Sequence, residues 1–460
     1  SLRGALAAEV VARGFESEFA RLLQEALEGK AKTPREIPAA DELGRIRLFE
    51  WRTTVHWDEQ GLPEYVVAAA LDVTERRQAE AALRERERYL SALDQVGTVL
   101  LGSAAEVPYD RFLEIIGQAT EAHRAFCALT WLDQRAEWRG RMVGNWYASG
   151  RPTRRLSQEE FLLDDGPLRE WYAALARGES VCVMAGHCSE EDSVRLQTTG
   201  AQSLIMLPVM IESRFCGFVG LDTTTYPRPW NPPEREFVRA AVQSLAQGLK
   251  RLRIVGQREA LQRVARRLTA PLTAYDIGRV VAEECRGLFL HDALALGLLN
   301  ATGDTMIGIY EEDTPEGADS PVEDAATDFP VIDPRTGERV WKGKPLLVNR
   351  HDEPAQSPFL PFCQKQRLSR SLMFVPVVWQ GMAVGSLTVQ SYTPGRYDDA
   401  DLRLLESVAD HVGGALARAR AEERLQRVTR NLARAQQIAS LGSWEIHVQT
   451  GTWWWSDEVY

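Results

Sequence analysis

The chain has 460 residues, 44% of them apolar and 26% charged, with a net charge of −11 and a pI near 5.4. That length suits about three domains of ordinary size with packed cores. The acidic balance argues against a nucleic-acid face, which needs a basic patch; no apolar run reaches the roughly 18 residues that span a bilayer, and nothing resembles a signal peptide.

The six cysteines, Cys127, Cys182, Cys188, Cys216, Cys285 and Cys363, are scattered and form no C-x-x-C pair. That usage suits reduced thiols better than a disulfide framework, so a cytoplasmic location is expected. A membrane anchor outside this stretch is left open.

In chain order, Trp51-Arg-Thr-Thr-Val55 and Tyr65-Val66-Val67 flank Asp58-Glu59-Gln60-Gly61, a hairpin pattern. Asp72 then stands as a helix N-cap with Glu75 three residues on as its capping-box partner. A long charged helix follows, and Leu83, Arg86, Leu90, Leu93, Gly97 and Leu100 fall on alternating steps of three and four. Leu71-Asp72-Val73-Thr74 resembles the end of a PAS domain, whose last strand closes in Asp-(Ile/Val)-Thr before a signalling helix. The resemblance makes residues 1–77 the C-terminal part of such a domain, and the chain is expected to start inside it. Residues 78–101 form a helical linker.

An internal repeat organises the middle. Ser203-Leu-Ile-Met-Leu-Pro208-Val209 returns as Ser371-Leu-Met-Phe-Val-Pro376-Val377, and Gly217 as Gly385, both at an offset of 168. Downstream the offset is 167, matching Trp230 to Tyr397 and Glu234 to Asp401; upstream it is 166, matching Tyr109-Asp110 to Tyr275-Asp276. Loop insertions between fixed elements produce such drift. Each copy reads as a lead-in helix (near Leu90–Leu101 and Leu261–Leu268), a second helix (Phe112, Ile115 and Ile116 at helical spacing) and short apolar strands such as Val181–Met184 and Leu346–Val348. The Ser203 and Gly217 runs form a hairpin, and a closing helix follows Pro232-Pro233. The sum is an α+β fold, a sheet with helices on one face. Arg253 to Gly256 should interrupt the helix between the copies.

The Ser-Leu-x-x-x-Pro-Val strand, the Gly217-Phe-Val-Gly-Leu-Asp222 strand and the Tyr397-Asp-Asp-Ala-Asp401-Leu402 lead into the last helix resemble the GAF domain, a small-molecule sensor module. The resemblance covers residues 88–250 and 259–418, with 251–262 as a helical linker. After them Leu425, Val428, Leu432, Ala435 and Ala439 make a cleaner heptad, so 419–437 reads as a coiled coil. Such seams favour a parallel homodimer; a single amphipathic helix packing on its own domain is the alternative. Ile438-Ala-Ser-Leu-Gly442-Ser-Trp444-Glu-Ile446, the turn Thr450-Gly451 and the strand and exit Trp453–Glu458 resemble the start of a second PAS domain, residues 438–460. Two strands bury no core, so this tail should be poorly ordered alone, and both ends mark the chain as a fragment. In a complete domain the three adjacent tryptophans fit a strand buried on both faces; a stacking platform for bases or sugars is the alternative.

The resemblance puts a pocket between the sheet and its helical connections. In the first copy that segment, Trp138 to Gln197, contains Trp146, Tyr147, Trp171, Cys182, His187 and Cys188. An aromatic-lined pocket is the usual form of a small-molecule site, and ordinary core packing is the competing account. Three ligands as close as Cys182, His187 and Cys188, with no partner pair elsewhere, make no zinc signature. Bilin-binding GAF domains usually place the anchoring Cys before a His, and here His187 precedes Cys188, which disfavours a bilin. Cyclic-nucleotide-binding GAF domains resemble one another in an Asn-Lys…Phe-x-x-x-Asp-Glu signature. Its places are held by Gln390-Ser391, Tyr397 and Asp401-Leu402 in the second copy, and by Asp222-Thr223, Trp230 and Glu234 in the first, which disfavours cyclic nucleotides. The remaining expectation is an unknown small-molecule ligand, with no cofactor and no metal.

Catalytic constellations are not seen. Gly337 to Lys344 has Pro345 where a P-loop needs Ser or Thr. Asp410-His411-Val412 lacks the acid that follows a phosphoacceptor His, and His291-Asp292 aligns with Ala125-Phe126 at a strand start. Chains of PAS and GAF modules joined by such helices resemble the sensory half of sensor histidine kinases, and next to them of diguanylate cyclases with a GGDEF domain. A non-enzymatic dimerisation scaffold is the reading from another class.

Overall fold

The structure is a computed structural model. It describes residues 16–28, 30, 34–40, 45–102, 106–149, 159–300, 302–314, 322–324, 328–330, 343–350, 368–439 and 444–455. The chain divides into two compact units, residues 1–97 with 231–237, and residues 98–230 with 238–460.

The first unit holds α1 (Glu16–Leu27) and an antiparallel sheet, β1 (Arg35–Ala40), β2 (Ile46–Trp57) and β3 (Pro63–Asp72), in sequence order. Phe19 and Leu22 of α1 pack on Ile37, Ala39 and Trp51. The hairpin turn forms as expected, because the Asp58 carboxylate accepts the Gln60 and Leu62 N–H groups at 2.9 and 2.8 Å and Gly61 takes φ +77°. Asp72 accepts the Thr74 N–H at 3.0 Å at the start of α2 (Thr74–Gly102). The same carboxylate pairs with Arg47 at 2.7 Å. The bonds from Thr74 and then Arg47 hold the Asp72 carboxyl down at about 2. Along α2 the buried stripe is Tyr89, Ala92, Val96 and Leu100, while Leu83 and Leu90 are exposed.

The second unit carries the repeat. Its first copy comprises α3 (Tyr109–Ala119), β4 (Arg124–Leu132), β5 (Trp138–Tyr147), β6 (Glu160–Leu162), α4 (Arg169–Ala176), β7 (Val181–Met184), α5 (Glu190–Thr199), β8 (Ser203–Ile211), β9 (Arg214–Thr223) and α6 (Pro232–Arg267). The second comprises α7 (Ala274–Phe289), β10 (Ala293–Leu299), β11 (Thr305–Asp313), β12 (Val322–Asp324), β13 (Asp328–Pro330), β14 (Leu346–Asn349), β15 (Ser371–Trp379), β16 (Met382–Ser391) and α8 (Asp399–Ala439). The antiparallel sheets run β6-β5-β4-β9-β8-β7 and β12-β11-β10-β16-β15-β14, with β13 also on β11. The order is the same in both. Each central hairpin turns on two residues of positive φ, Glu212 (50°) and Ser213 (66°), or Gln380 (49°) and Gly381 (79°). That geometry matches the twist of the flanking strands.

In the second copy Ile277, Val281 and Cys285 of α7 and Leu405, Val408, Val412 and Leu416 of α8 pack on Leu294, Leu296, Val375, Val377 and Leu387 of the sheet. The α7 backbone lies so close that a Cβ on Gly278 would stand 2.2 Å from the Tyr310 Cβ.

The expected break between the copies needs correction. α6 runs unbroken for 36 residues through Arg253–Gly256. A lone glycine costs a helix only about 1 kcal/mol and no proline follows, so packing at both ends carries the helix across. The tryptophans of the terminal hairpin, β17 (Trp444–His447) and β18 (Thr452–Trp455), are exposed, and Trp453 stacks on Trp455 at 5.8 Å. The predicted exit 456–458 and Cys363 lie outside the described residues. The expected coiled coil falls within the 41-residue α8, where Leu425, Val428 and Leu432 are exposed in the single chain. Among the described residues, no helix is long and apolar enough to cross a membrane.

Candidate functional site

In the first copy, one sheet face carries α3 and the other is covered by α4 and α5, so helices flank both faces and not one as expected. Phe126, Ala128, Leu204, Met206 and Phe218 project to the covered face and meet Trp171 and Leu175 of α4 and Leu196 of α5. The rings fill it: Phe126–Phe218 lie 6.5 Å apart, Tyr172–Phe218 5.5 Å, Phe161–Tyr172 5.9 Å and Trp138–Phe215 5.4 Å. Gly220 makes room, since a Cβ there would stand 2.2 Å from the Phe126 ring. Burial pushes the Tyr172 phenol up to about 12.

At the edge of this face lies a buried ion pair. Arg124 donates to Asp222 from Nε at 2.8 and 3.0 Å and from Nη2 at 2.5 Å, and to the Thr199 carbonyl at 2.9 Å. The two side chains are 1% and 0% exposed. Burial raises the Asp222 carboxyl to about 6 against the downward pull of the guanidinium, which leaves it ionised at neutral pH.

The strand registers place different residues on the matching face of the second copy. Arg124, Asp222 and Leu204 share one row of β4, β9 and β8; Ala293, Gln390 and Leu372 share it in β10, β16 and β15. By the same count Phe126 becomes Ala295, Gly220 becomes Thr388 and Phe218 becomes Ser386. The outer strand adds Asp313 opposite Ala293 and Glu311 opposite Ala295. Glu311, Asp313, Ser386, Thr388 and Gln390 are all buried. Tyr392 OH donates to both Asp313 oxygens at 2.7 and 2.8 Å, Ser369 Oγ donates to Gln390 Oε1 at 2.6 Å, and Arg350 Nη1 donates to the Ser369 carbonyl at 3.2 Å. This is a carboxylate, amide and hydroxyl surface where the first copy has aromatic rings.

The helix-side face differs too. Glu312, 1% exposed, sits 2.7 Å from His291 Nε2 and accepts from Arg286 Nη2 and Tyr310 OH, each at 3.0 Å. Burial alone would raise the Glu312 carboxyl, but His291, Arg286 and Tyr310 together hold it below the usual range.

The GAF domain family matches residues 105–249 and 258–416. The chain belongs to the GAF family. A PAS fold matches residues 1–78. Among curated proteins the chain is 25% identical over 227 residues, 46% of its length, to the methanogenesis regulatory histidine kinase FilI of Methanothrix harundinacea, of which it covers 24%. Thus the chain spans about a quarter of that relative. Solved structures similar to it include bacteriophytochrome RpBphP3 of R. palustris (12% identity, TM-score 0.43, covering 89% of this chain and 88% of that one). The GAF domain of an Acinetobacter phosphoenolpyruvate-protein phosphotransferase also matches (15% identity, TM-score 0.28, 36% and 97% covered).

The two GAF domains distribute the expected site residues unevenly. Trp171 joins the buried cluster and donates from Nε1 to Asp192 at 2.8 Å, and Cys188 borders it half-buried. Trp146 does not: a register shift in β5 turns it to the α3 face, where Gly117 accommodates its ring. Tyr147 is half-buried, and Cys182 and His187 are exposed. No group of three or more His, Cys, Asp and Glu side chains among the described residues could hold a metal ion. Trp230 and Tyr397 are buried, the first under Arg228 at 4.2 Å, the second against Phe289 at 6.4 Å. Burial pushes the Tyr397 phenol well above its usual range. His411 is exposed on α8, its ring bonded to the Ser407 carbonyl at 2.9 Å.

His291-Asp292 does not align with Ala125-Phe126. The His123 N–H donates to the Asp222 carbonyl at 2.7 Å and the Asp292 N–H to the Gln390 carbonyl at 2.9 Å, so Asp292 stands in the place of His123. The helix before it is longer, 16 residues against 11, which moves the register. Sequence reasoning missed Arg124 and the Glu311-Glu312-Asp313 run. Three acids closing an otherwise apolar strand were the available signal.

Proposed function

We propose that this chain is the sensory, signal-transducing region of a multi-domain cytoplasmic receptor. Its second GAF domain takes a small polar ligand on the buried face of Glu311, Asp313, Thr388 and Gln390. The first GAF domain, closed by its own rings, relays rather than binds. Signals pass through α6 and α8, in a parallel homodimer, to an output domain that is a histidine kinase of a two-component system. Residues 438–460 begin a second PAS domain in this reading.

One observation carries it: the same sheet face is lined by Glu311, Asp313, Thr388 and Gln390 in the second domain and by aromatic rings in the first, so two otherwise matching domains offer different chemistry there. Likeness to FilI supports the kinase output, and the exposed heptad positions Leu425, Val428 and Leu432 support the dimer. The test is incubation of the whole protein that carries this chain with labelled ATP. Acid-labile, alkali-stable phosphohistidine is expected. Conversion of GTP to a cyclic dinucleotide, or neither product, would overturn the kinase output. Scattering of residues 78–440 at micromolar concentration should give a dimer; a monomer would sink the helical relay.

A further inference from the structure

α6 belongs to both GAF domains. Val238, Ala241, Val242, Leu245 and Ala246 are buried at its start, Ala260 and Val264 near its end, and no residue between Ala246 and Ala260 is buried. One turn of that bare span carries three polar ties. Lys250 pairs at 2.6 Å with Glu212 of the β8–β9 turn. Arg251 Nη1 donates at 2.8 Å to the Leu101 carbonyl near the end of α2. Arg253 Nη2 reaches the other way, to Asp401 Oδ1 at 2.6 Å.

Asp401 is no ordinary surface acid. Its side chain is 6% exposed against 40% for Arg253, and its second oxygen accepts the Asp398 N–H at 3.2 Å. Asp398 in turn accepts the Ala400 and Asp401 N–H groups at 2.8 and 2.9 Å. The two aspartates thus cap the first turn of α8 reciprocally, satisfying N–H groups that a helix start otherwise leaves open. Burial raises the Asp401 carboxyl, and Arg253 is the cation that opposes this. Further along, Arg418 of α8 donates to the Leu268 carbonyl at 2.8 Å, just past the end of α6. Leu261, Val264 and Leu268 share an apolar cluster with Val412, Ala415 and Leu416.

We propose that the 250–253 turn of α6 is a coupling joint. It links the β8–β9 turn of the first GAF domain to the N-terminal cap of the second domain's exit helix, with Arg253 as its positioning residue. The joint bypasses the second sheet. A shift of the β8–β9 turn moves Lys250, α6 turns as a rigid rod, and Arg253 tightens or releases the Asp398–Asp401 cap. Because charge-assisted bonds to a partly buried carboxylate outlast exposed ion pairs, the tie is strong enough to matter and weak enough to switch. This inference deepens the sensory reading and rests on it for its biological meaning, not for its test.

The test is amide hydrogen exchange on the 460-residue chain, read at residues 400–404 in the first turn of α8, where local opening reports the cap. R253A should speed exchange there about ten-fold and R253K distinctly less, since Lys keeps the charge but not the fork. E212K, which breaks the Lys250 pair, should speed the same amides about three-fold. In R253A/E212K the rate should equal that of R253A alone. A change under two-fold in R253A, or an E212K effect of equal size with and without Arg253, would overturn the joint. Coupling in this chain together with no phosphohistidine in the whole protein would leave the joint standing and remove the kinase output; the reverse result would do the opposite.

Discussion

The two GAF domains share a strand order and differ in what lies on the sheet face opposite α3 in the first and α7 in the second. In the first, Phe126, Phe218, Phe161 and Tyr172 meet edge to face or tilted within one apolar cluster. In the second, Ala295 and Ser386 stand where Phe126 and Phe218 do, and Glu311, Asp313, Thr388 and Gln390 line the floor. Six side chains therefore separate a sheet face packed with rings from one lined by carboxylates, an amide and hydroxyls, with no change of strand order. The lesson is that duplication fixes the frame, and the face is chosen one strand position at a time.

The sharpest way to break this comparison is Asp222→Ala, which leaves the Arg124 guanidinium buried without its carboxylate. Losing one partner of a buried pair costs about 3–5 kcal/mol, and a lower denaturation midpoint at unchanged slope should record it. Next is Gly278→Ala, which drives a methyl into Tyr310; overpacking of this kind costs up to about 3 kcal/mol in thermal unfolding. Glu312→Gln should cost about 2 kcal/mol at pH 7, the worth of hydrogen bonds to a charged group. The folded carboxyl of Glu312 lies below the 4.5 of a free glutamate. Its stabilisation is thus fully present above pH 4.5 and lost as pH falls through the folded value, so the gap between wild type and variant should close in acid. The smallest effect should come from Gln390→Ala, about 1 kcal/mol for its bond with Ser369. A loss as large as that of Asp222→Ala would mean that the polar face of the second domain is a structural strut, like the ion pair of the first.

The frame was legible in the sequence because it is written twice. Pro208-Val209 and Pro376-Val377, Gly217 and Gly385, and the paired Tyr-Asp helix starts mark elements whose spacing loops alter by a residue or two. The site was not legible, because a strand's side chains change face at every residue. One register shift in β5 sends Trp146 to the α3 side while Trp138 and Met142 stay on the face that α4 and α5 cover. A longer helix before β10 slid His291-Asp292 out of its apparent alignment. Propensity misled at Arg253–Gly256 as well, where ties and packing on either side outweigh a weak helix former.

The unbroken α6 has a consequence for how the spacing of two such GAF domains can change. Each residue inserted into a continuous helix turns everything beyond it by about 100° and advances it by about 1.5 Å. Insertions of seven bring the phase back to within roughly 20°, whereas a single insertion does not. Between these two GAF domains, then, the chain has no slack to absorb an odd residue. The permitted spacings should be quantised in whole turns, as teeth are on meshed gears.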